Sequence, residues 1–300
     1  MLEGKVAIVT GAGRGLGRAE ALLLGRLGAK VVVNDLGVEL DGTGGSTSLA
    51  QQVADEIKGA GGEAVANHGD VADWEQSKAL IDQAVQTFGD LHILVNNAGF
   101  LRDRMIYNMS EEEWDAVIRV HLKGHFCTSR WATAYWRDRS KATDAPVYAR
   151  VINTASEAFL FGSPGQPNYA AAKAGVVALT LTTAQSCARF GVNANAICPR
   201  ARTRMTESMP MFAKPEEGFD AFAPENVAPL VGFLASPAAA KVSGQVFVVH
   251  GGMVSVLAGP RVDRRWDIGR TWTVQELADT LVPFFASRTP VRDGFAMPFA

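Results

Sequence analysis

The sequence is short of several things, and each shortage closes a class of answers. Only three cysteines occur in 300 residues, Cys127, Cys187 and Cys198. That odd number without C-x-x-C spacing argues against a disulfide framework and fits a reducing cytoplasm. Neither sign of charge dominates: 29 Lys and Arg face 31 Asp and Glu. Bulk electrostatics therefore gives no attraction to nucleic acid or to an acidic membrane. Long apolar runs are missing too, since the first, Val6 to Val9, is far too short for a signal peptide or a membrane span. The terminal Met-Pro-Phe-Ala matches no targeting tail, and no repeat with a period of about 20–50 residues is present. The expectation is a cytoplasmic protein without membrane or nucleic-acid partners.

What is present is an ordinary globular composition, 47% apolar and 20% charged. Short β-branched runs occur at Lys5–Thr10, Lys30–Asp35, Ala64–Asn67, Leu91–Asn96, Arg150–Thr154, Asn193–Cys198 and Gln245–Val249. Helix-like stretches lie between them near 15–28, 46–59, 73–88, 111–139, 168–190 and 224–235. This βαβ rhythm predicts an α/β fold, a Rossmann-type doubly wound sheet of seven parallel strands with helices on both faces. Asp41-Gly-Thr-Gly-Gly-Ser46 reads as a loop, and Arg137–Ala149 as a polar surface insertion. Beyond Gly252, Thr273-Val-Gln-Glu276 resembles a capping box, and Leu277, Leu281, Phe284 and Phe285 recur at helical spacing. The chain thus divides into residues 1–252, the main domain, and 253–300, a helical extension packed on that domain or on a neighbouring subunit.

The first strand runs into Thr10-Gly-Ala-Gly-Arg-Gly-Leu-Gly17. Gly11, Gly15 and Gly17 let the backbone turn tightly and approach a pyrophosphate, and the following helix offers unpaired N–H groups and its positive dipole end. The spacing is G-x-x-x-G-x-G, not G-x-G-x-x-G, because position 16 is Leu16. A glycine-rich turn alone also describes a plain strand-to-helix connection, so the context carries the reading. That context is Asp35 at the end of the next strand. A carboxylate there accepts from both hydroxyls of an adenosine ribose and repels a 2′-phosphate, which favours NAD over NADP. Arg14 is the opposing feature, since its guanidinium could pair with that phosphate. Asp70 and Val71, after the third strand, would flank the adenine; Asn97, Ala98 and Gly99, after the fourth, let the backbone approach the cofactor.

Tyr169-Ala-Ala-Ala-Lys173 lies in a helical run, which sets the two side chains one turn apart on one face. A phenol is a poor base at neutral pH, but an ammonium within about 4–6 Å favours the phenolate. Ser156, just past the fifth strand, can donate to the same substrate oxygen, or be an ordinary loop serine. His121 and His125 share a helix face, but Cys127 points elsewhere and no acidic ligand is suitably spaced, so no metal site is expected.

Together these residues resemble the short-chain dehydrogenase/reductase family over roughly residues 4–252: the T-G-x-x-x-G-x-G loop at 10–17, Asn96-Asn-Ala-Gly99, Ser156, Tyr169-x-x-x-Lys173 and the Pro199 segment stand in family order. The resemblance implies that Tyr169 transfers the proton, that Lys173 lowers its pKa and holds the nicotinamide ribose, and that Ser156 orients the reacting oxygen. It also places Arg14, Leu16, Pro199 and Thr203 on the cofactor side, and it implies a homodimer or homotetramer through the long helices near 111–139 and 168–190. Two positions depart from the family. His121 stands where an Asn is usual, and Pro199-Arg200 replaces Pro-Gly.

A narrower resemblance, carried by Val33-Asn-Asp-Leu-Gly37, Leu101-Arg-Asp-Arg104, Val120-His-Leu-Lys-Gly124, Asn153-Thr-Ala-Ser156 and Gly165-Gln-Pro-Asn-Tyr169, is to the 3-hydroxyacyl-CoA dehydrogenase unit of the peroxisomal multifunctional β-oxidation enzyme and its free-standing bacterial relatives. It implies an NAD-dependent oxidation of a (3R)-hydroxyacyl-CoA in fatty-acid or steroid-side-chain degradation. A hydroxysteroid dehydrogenase, a 3-oxoacyl carrier-protein reductase and a non-catalytic NAD-binding protein are the alternatives. Arg102, Arg104, Arg200, Arg202 and Arg204 are candidates for the CoA phosphates or else plain surface residues. Met205, Met209, Met211, Phe212, Phe219 and Phe222 suggest an apolar substrate wall, or core packing.

Overall fold

The computed structural model describes residues 1–37, 48–207, 210–259 and 262–289, so the Asp41–Ser46 loop, Met209 and the Met-Pro-Phe-Ala terminus lie outside the described residues. Its centre is an eight-stranded sheet in the order β3-β2-β1-β4-β5-β6-β7-β8. The strands are β1 (Val6–Thr10), β2 (Lys30–Asn34), β3 (Ala64–Asn67), β4 (Ile93–Asn96), β5 (Ala149–Thr154), β6 (Val192–Pro199), β7 (Val246–His250) and β8 (Met253–Val256). The first seven pair in parallel, Val6 opposite Lys30 and Ala7 opposite Ile93 around β1. The seven expected strands are all present. The eighth was not expected: Gly251, at φ +50°, turns the chain back, and β8 pairs antiparallel with β7, His250 opposite Met253.

Helices cover both faces: α1 (Gly15–Arg26), α2 (Ser48–Gly59), α3 (Trp74–Phe88), α4 (Glu111–Ile118), α5 (Gly124–Thr143), α6 (Ala158–Phe161), α7 (Pro167–Cys187), α8 (Ala228–Ala235) and α9 (Val274–Phe285). Successive residues of β1 divide between the two layers, which is why its sequence is a continuous apolar run. Ala7 and Val9 pack with Leu24, Val53, Ile57, Val231 and Leu234 of α1, α2 and α8. Val6 and Ile8 pack on the other side with Leu80, Ile81 and Trp136 of α3 and α5. Each such buried aliphatic side chain contributes roughly 1.5–3 kcal/mol of hydrophobic burial.

Two expectations are corrected. The segment from Arg137 is not an insertion: α5 continues to Thr143 with Ser140 buried, ends at Asp144 (φ +49°), and Ala149 is already the first buried residue of β5. Polar composition concealed this last stretch of α5, in which Ser140 is the one buried residue after Trp136. The single helix expected over 111–139 is broken by a π-helical turn at Arg119–Lys123, which separates α4 from α5 and carries the buried His121. In the tail, Thr273 and Glu276 form the reciprocal capping box that opens α9. Trp266 packs on Phe284 with ring centroids 4.8 Å apart, Arg288 pairs with Asp263, and no residue of α9 is buried.

Candidate active site

In an open α/β sheet the crevice lies at the carboxyl ends of the strands, where the strand order reverses. Here the reversal falls between β1 and β4, and Thr10 stitches the two together. Its Oγ1 accepts from the N–H groups of Asn97 (3.0 Å) and Ala98 (3.2 Å), while Asn97 Nδ2 returns bonds to the carbonyls of Thr10 and Gly11, both at 3.1 Å. The glycines are needed for this crossing. A Cβ at Gly17 would stand 2.3 Å from the Gly11 oxygen, and one at Gly11, already at φ +62°, would stand 2.7 Å from the Ala98 Cα.

A cavity of about 300 Å³ opens over this crossing, lined by Gly11, Arg14, Gly15, Leu16, Asp35, Asp70, Val71, Asn97, Ala98, Gly99 and Thr203 among others. Gly17 lies beneath it as a spacer between α1 and the loop. No side chain caps α1, whose first turn also holds no acidic residue, so its N–H groups face the cavity without a protein anion. Asp35 is held at the far end: Oδ2 accepts from the Gly13 N–H at 2.7 Å and Oδ1 from the Gly37 N–H at 2.6 Å. The carboxylate of Asp70 pairs with Arg119 across the same cavity. A pyrophosphate over bare helix N–H groups and a ribose beside a fixed carboxylate both fit these residues.

A second cavity of about 720 Å³ adjoins the first and shares Leu16, Asn97, Thr203 and Met205 with it. It is lined by His121, Ser156, Tyr169, Lys173 and Pro199, so residues from α5's preceding π-turn, β5, β6 and α7 meet at one place. The start of α7 is fastened by Asn168, fully buried, whose Nδ2 donates to the carbonyls of Arg102 and Glu113, both at 3.0 Å, and whose Oδ1 accepts from the Tyr169 N–H at 2.7 Å. One turn on, Lys173 Nζ donates to the Thr154 carbonyl at 2.5 Å and lies 5.4 Å from the Tyr169 ring centre. Ser156 Oγ accepts from the Ala158 N–H at 3.2 Å and hydrogen-bonds the Tyr169 hydroxyl.

The electrostatics of this pair differs from the expectation that Lys173 lowers Tyr169. Burial pushes the Tyr169 phenol up to about 12, with the Ser156 hydrogen bond opposing it, and burial pushes the Lys173 ammonium down to about 7. Desolvation is the largest cause for each and shifts each toward its neutral form. His121 is corrected likewise: burial first, then the nearby Lys173 charge, hold its imidazole well below the usual histidine range, so it does not titrate near pH ~6.5. Its Nε2 sits 2.7 Å from the Phe100 carbonyl and 3.1 Å from the Phe100 N–H, and its Nδ1, buried, has no partner among the described residues. Its ring meets that of Tyr169 edge-on at 5.1 Å. Gly99 makes the room, since a Cβ there would stand 2.0 Å from the imidazole.

A profile of the short chain dehydrogenase family matches residues 5–212. The chain belongs to that family. Among the relatives of this short-chain dehydrogenase is the hydroxyacyl-CoA dehydrogenase ChsB1 of Mycobacterium tuberculosis, 52% identical over 96% of this chain and 91% of that one. The peroxisomal hydratase-dehydrogenase-epimerase of Neurospora crassa is 44% identical over 86% of this chain, which spans 27% of that longer enzyme. A crystal structure of a short chain dehydrogenase from Mycobacterium avium superimposes with a TM-score of 0.86 at 51% identity, covering 99% of each chain. This dehydrogenase is accordingly an oxidoreductase of CH–OH groups whose family binds NAD(P).

Sequence reasoning placed five arginines near a substrate. Four of them form ion pairs, Arg102 with Glu112, Arg104 with Glu113, Arg200 with Glu157 and Arg202 with Asp220; Arg102 and Arg204 line the first cavity and Arg200 the second. Of the expected apolar wall, Met205, Met211 and Phe212 line the second cavity, but Phe222 instead packs on Phe212 and on His250, and Phe219 is exposed. Missed altogether were Thr10, Glu157 and Asn168. Asn168 was legible as the residue before Tyr169 at a helix start, whereas Glu157 needed a partner 43 residues away.

Proposed function

We propose that this enzyme oxidises a (3R)-hydroxyacyl-CoA to the 3-oxoacyl-CoA with NAD, in the degradation of fatty acids or steroid side chains. The observation that carries the reading is the meeting of Ser156, Tyr169 and Lys173 on the wall of the second cavity, which adjoins the first along Leu16, Asn97, Thr203 and Met205. The hydroxyacyl-CoA dehydrogenase named among its relatives supports the substrate class. When bound, the nicotinamide supplies the hydride acceptor. The rest is the work of the chain. Ser156 donates to the carbinol oxygen and fixes its distance from Tyr169; Tyr169 takes the carbinol proton as hydride leaves carbon; Lys173, close to its own titration point, passes that proton on. His121, held neutral with a buried Nδ1 that has no partner among the described residues, orders the water through which that proton leaves.

Asp35 supports NAD over NADP, since its fixed carboxylate stands where a 2′-phosphate would go. Three features support a homodimer or homotetramer. Trp74, Trp114 and Phe126 are exposed on α3, α4 and α5, and Val254 and Val256 on the edge strand. The unburied apolar face of α9 in the 253–300 extension is the third. No helix among the described residues is long and apolar enough to cross a membrane, and the sparse cysteines support a cytoplasmic setting. Purified protein with NAD should turn over (3R)-hydroxyacyl-CoA far better than the free acid, a carrier-protein thioester or a free steroid alcohol. Good turnover of the steroid with none of short, long and steroid-chain CoA thioesters would remove the thioester while leaving the dehydrogenase.

A further inference from the structure

The departure Pro199-Arg200 has a counterpart directly beside the catalytic serine. The N–H of Ala155 makes the last bond from β5 to β6, to the Ile197 carbonyl at 2.7 Å, and beyond it the strand ladder no longer holds the chain that carries Ser156. The next side chain restores the tie. Glu157 Oε2 accepts from Arg200 Nε at 2.6 Å and Oε1 accepts from Arg200 Nη2 at 2.8 Å, a two-bond fork that fixes orientation as well as distance. Both side chains line the substrate cavity yet are only 11% and 13% exposed.

Each end of the fork is itself anchored. The Arg200 N–H donates to the Val249 carbonyl of β7 at 3.0 Å, and its Nη1 lies 3.5 Å from His250 Nε2, whose ring stacks on Phe222. At the other end, the Glu157 carbonyl accepts from Leu160 and Phe161, so the residue is the base of α6. The first N–H of that helix, from Ala158, is the one that holds Ser156 Oγ. Moving Glu157 therefore moves both the backbone of Ser156 and the donor that sets its hydroxyl.

We propose that the Glu157–Arg200 pair is the positioning element of Ser156, clamping the end of β5 to β6 and β7 so that the serine hydroxyl points at the substrate oxygen. The proposal rests on the reading of Ser156 given above. Neither side chain lines the first cavity, so the effect falls on turnover and not on NAD binding. It also explains why a large cation replaces the usual glycine after Pro199: a fork reaching across two strand ends needs the length and planarity of arginine.

The test is a double-mutant cycle with kcat, KM and NAD affinity measured on the whole enzyme, using NAD and the (3R)-hydroxyacyl-CoA it turns over best. Arg200→Lys keeps the charge and loses the fork. It is expected to lower kcat about tenfold to thirtyfold while KM and NAD affinity stay within about twofold. In a Ser156→Ala background the same change should lower kcat by less than about twofold, because the hydroxyl it positions is gone. Losses that simply multiply would overturn the proposal, as would an Arg200→Lys enzyme of full activity. If Ser156→Ala alone retained full turnover, the reading of Ser156 would fail first and separately, and the clamp would have nothing to position. Glu157→Gln, which keeps the shape and the accepting oxygen, carries the same cycle should Arg200→Lys not fold.

Discussion

The two cavities share one wall but are built by different means. The cofactor cavity is a work of backbone: glycines that a Cβ would jam, helix N–H groups left uncapped, and a carboxylate gripped by two main-chain donors. Most of its parts come from the few residues after β1, β2, β3 and β4, with Arg119 and Thr203 added from farther along the chain. The substrate cavity is a work of side chains from stretches far apart in sequence, Leu101, Phe161, Arg200 and Met211 among them, tied by the Glu157–Arg200 pair. The comparison teaches that binding of the dinucleotide and placement of the substrate are separately breakable. Substitutions in one cavity or the other should therefore divide cleanly between NAD affinity and turnover.

Tyr169→Phe is the strongest way to test that division. Losing the hydroxyl should lower kcat by about 100- to 10,000-fold, the span of general acid–base loss, while NAD affinity by titration calorimetry stays within about twofold. Retention of most activity would hand the proton to another group. The same phenol predicts a pH profile. Burial keeps Tyr169 protonated up to about 12, and oxidation needs its deprotonated form. Alcohol oxidation should therefore accelerate as pH rises through the alkaline range, and ketone reduction, which needs the phenol, should not.

Asp35→Ala is the mirror experiment. It removes the acceptor of the Gly13 and Gly37 N–H groups along with the charge facing the ribose. NAD affinity should fall by up to about 100-fold, and the preference for NAD over NADP should collapse, with kcat at saturating NAD much less affected. Equal use of NADP by the unaltered enzyme would break the assignment of Asp35 as the selecting residue.

The division between the cavities also explains what could be read in advance. The parallel sheet was legible because strands buried on both faces are written as continuous apolar runs, as in Val6–Thr10, and the phosphate turn because glycine has few alternatives there. β8 was not, because an edge strand of four residues, Met253–Val256, with two valines exposed, carries too short an alternation to stand out. The continuation of α5 past Arg137 was hidden by its polar surface. The tuning of Tyr169 and Lys173 was misread because spacing reports proximity and says nothing of desolvation, which here decides the sign for both. The ion pairs of four of the arginines were hidden for a related reason: their carboxylate partners lie 9 to 43 residues away and belong to the fold, not to a motif.

Behind the cofactor cavity lies a defect that sharpens the comparison. Glu20 of α1 is fully buried with neither carboxylate oxygen bonded, and burial alone raises it from 4.5 to about 8. The folded state thus holds a proton that the unfolded chain releases. Its stability is intact below about pH 4.5 and is lost progressively as pH rises to about 8. Glu20→Met, similar in length and without the carboxyl, should raise stability near pH 7 by on the order of 2 kcal/mol and flatten the pH dependence of Tm in that window. NAD affinity should stay within about twofold, since the cavity above is made of backbone. A variant with unchanged Tm at every pH would show that Glu20 finds a partner in solution.

The smallest effect is expected at His121, and its argument joins both cavities. The imidazole hangs from the π-turn, and only Gly99 of the cofactor strand leaves room for it. Nε2 lies 2.7 Å from the Phe100 carbonyl and 3.1 Å from the Phe100 N–H. In the tautomer that serves the shorter contact Nε2 carries the proton, and Nδ1 is left as a buried acceptor with no partner among the described residues. A buried acceptor of this kind calls for a water, and this water is expected to be shared with Lys173, whose charge depresses the imidazole. His121→Ala should therefore lower kcat about tenfold, with NAD affinity nearly unchanged, and His121→Asn, which keeps an acceptor, should recover most of the loss. Because the imidazole is held neutral, the unaltered enzyme should show no step near pH ~6.5 that disappears in the variant. Finding such a step would mean that His121 charges during turnover and acts as an acid in its own right; finding no loss in His121→Ala would reduce it to a packing residue beneath Tyr169.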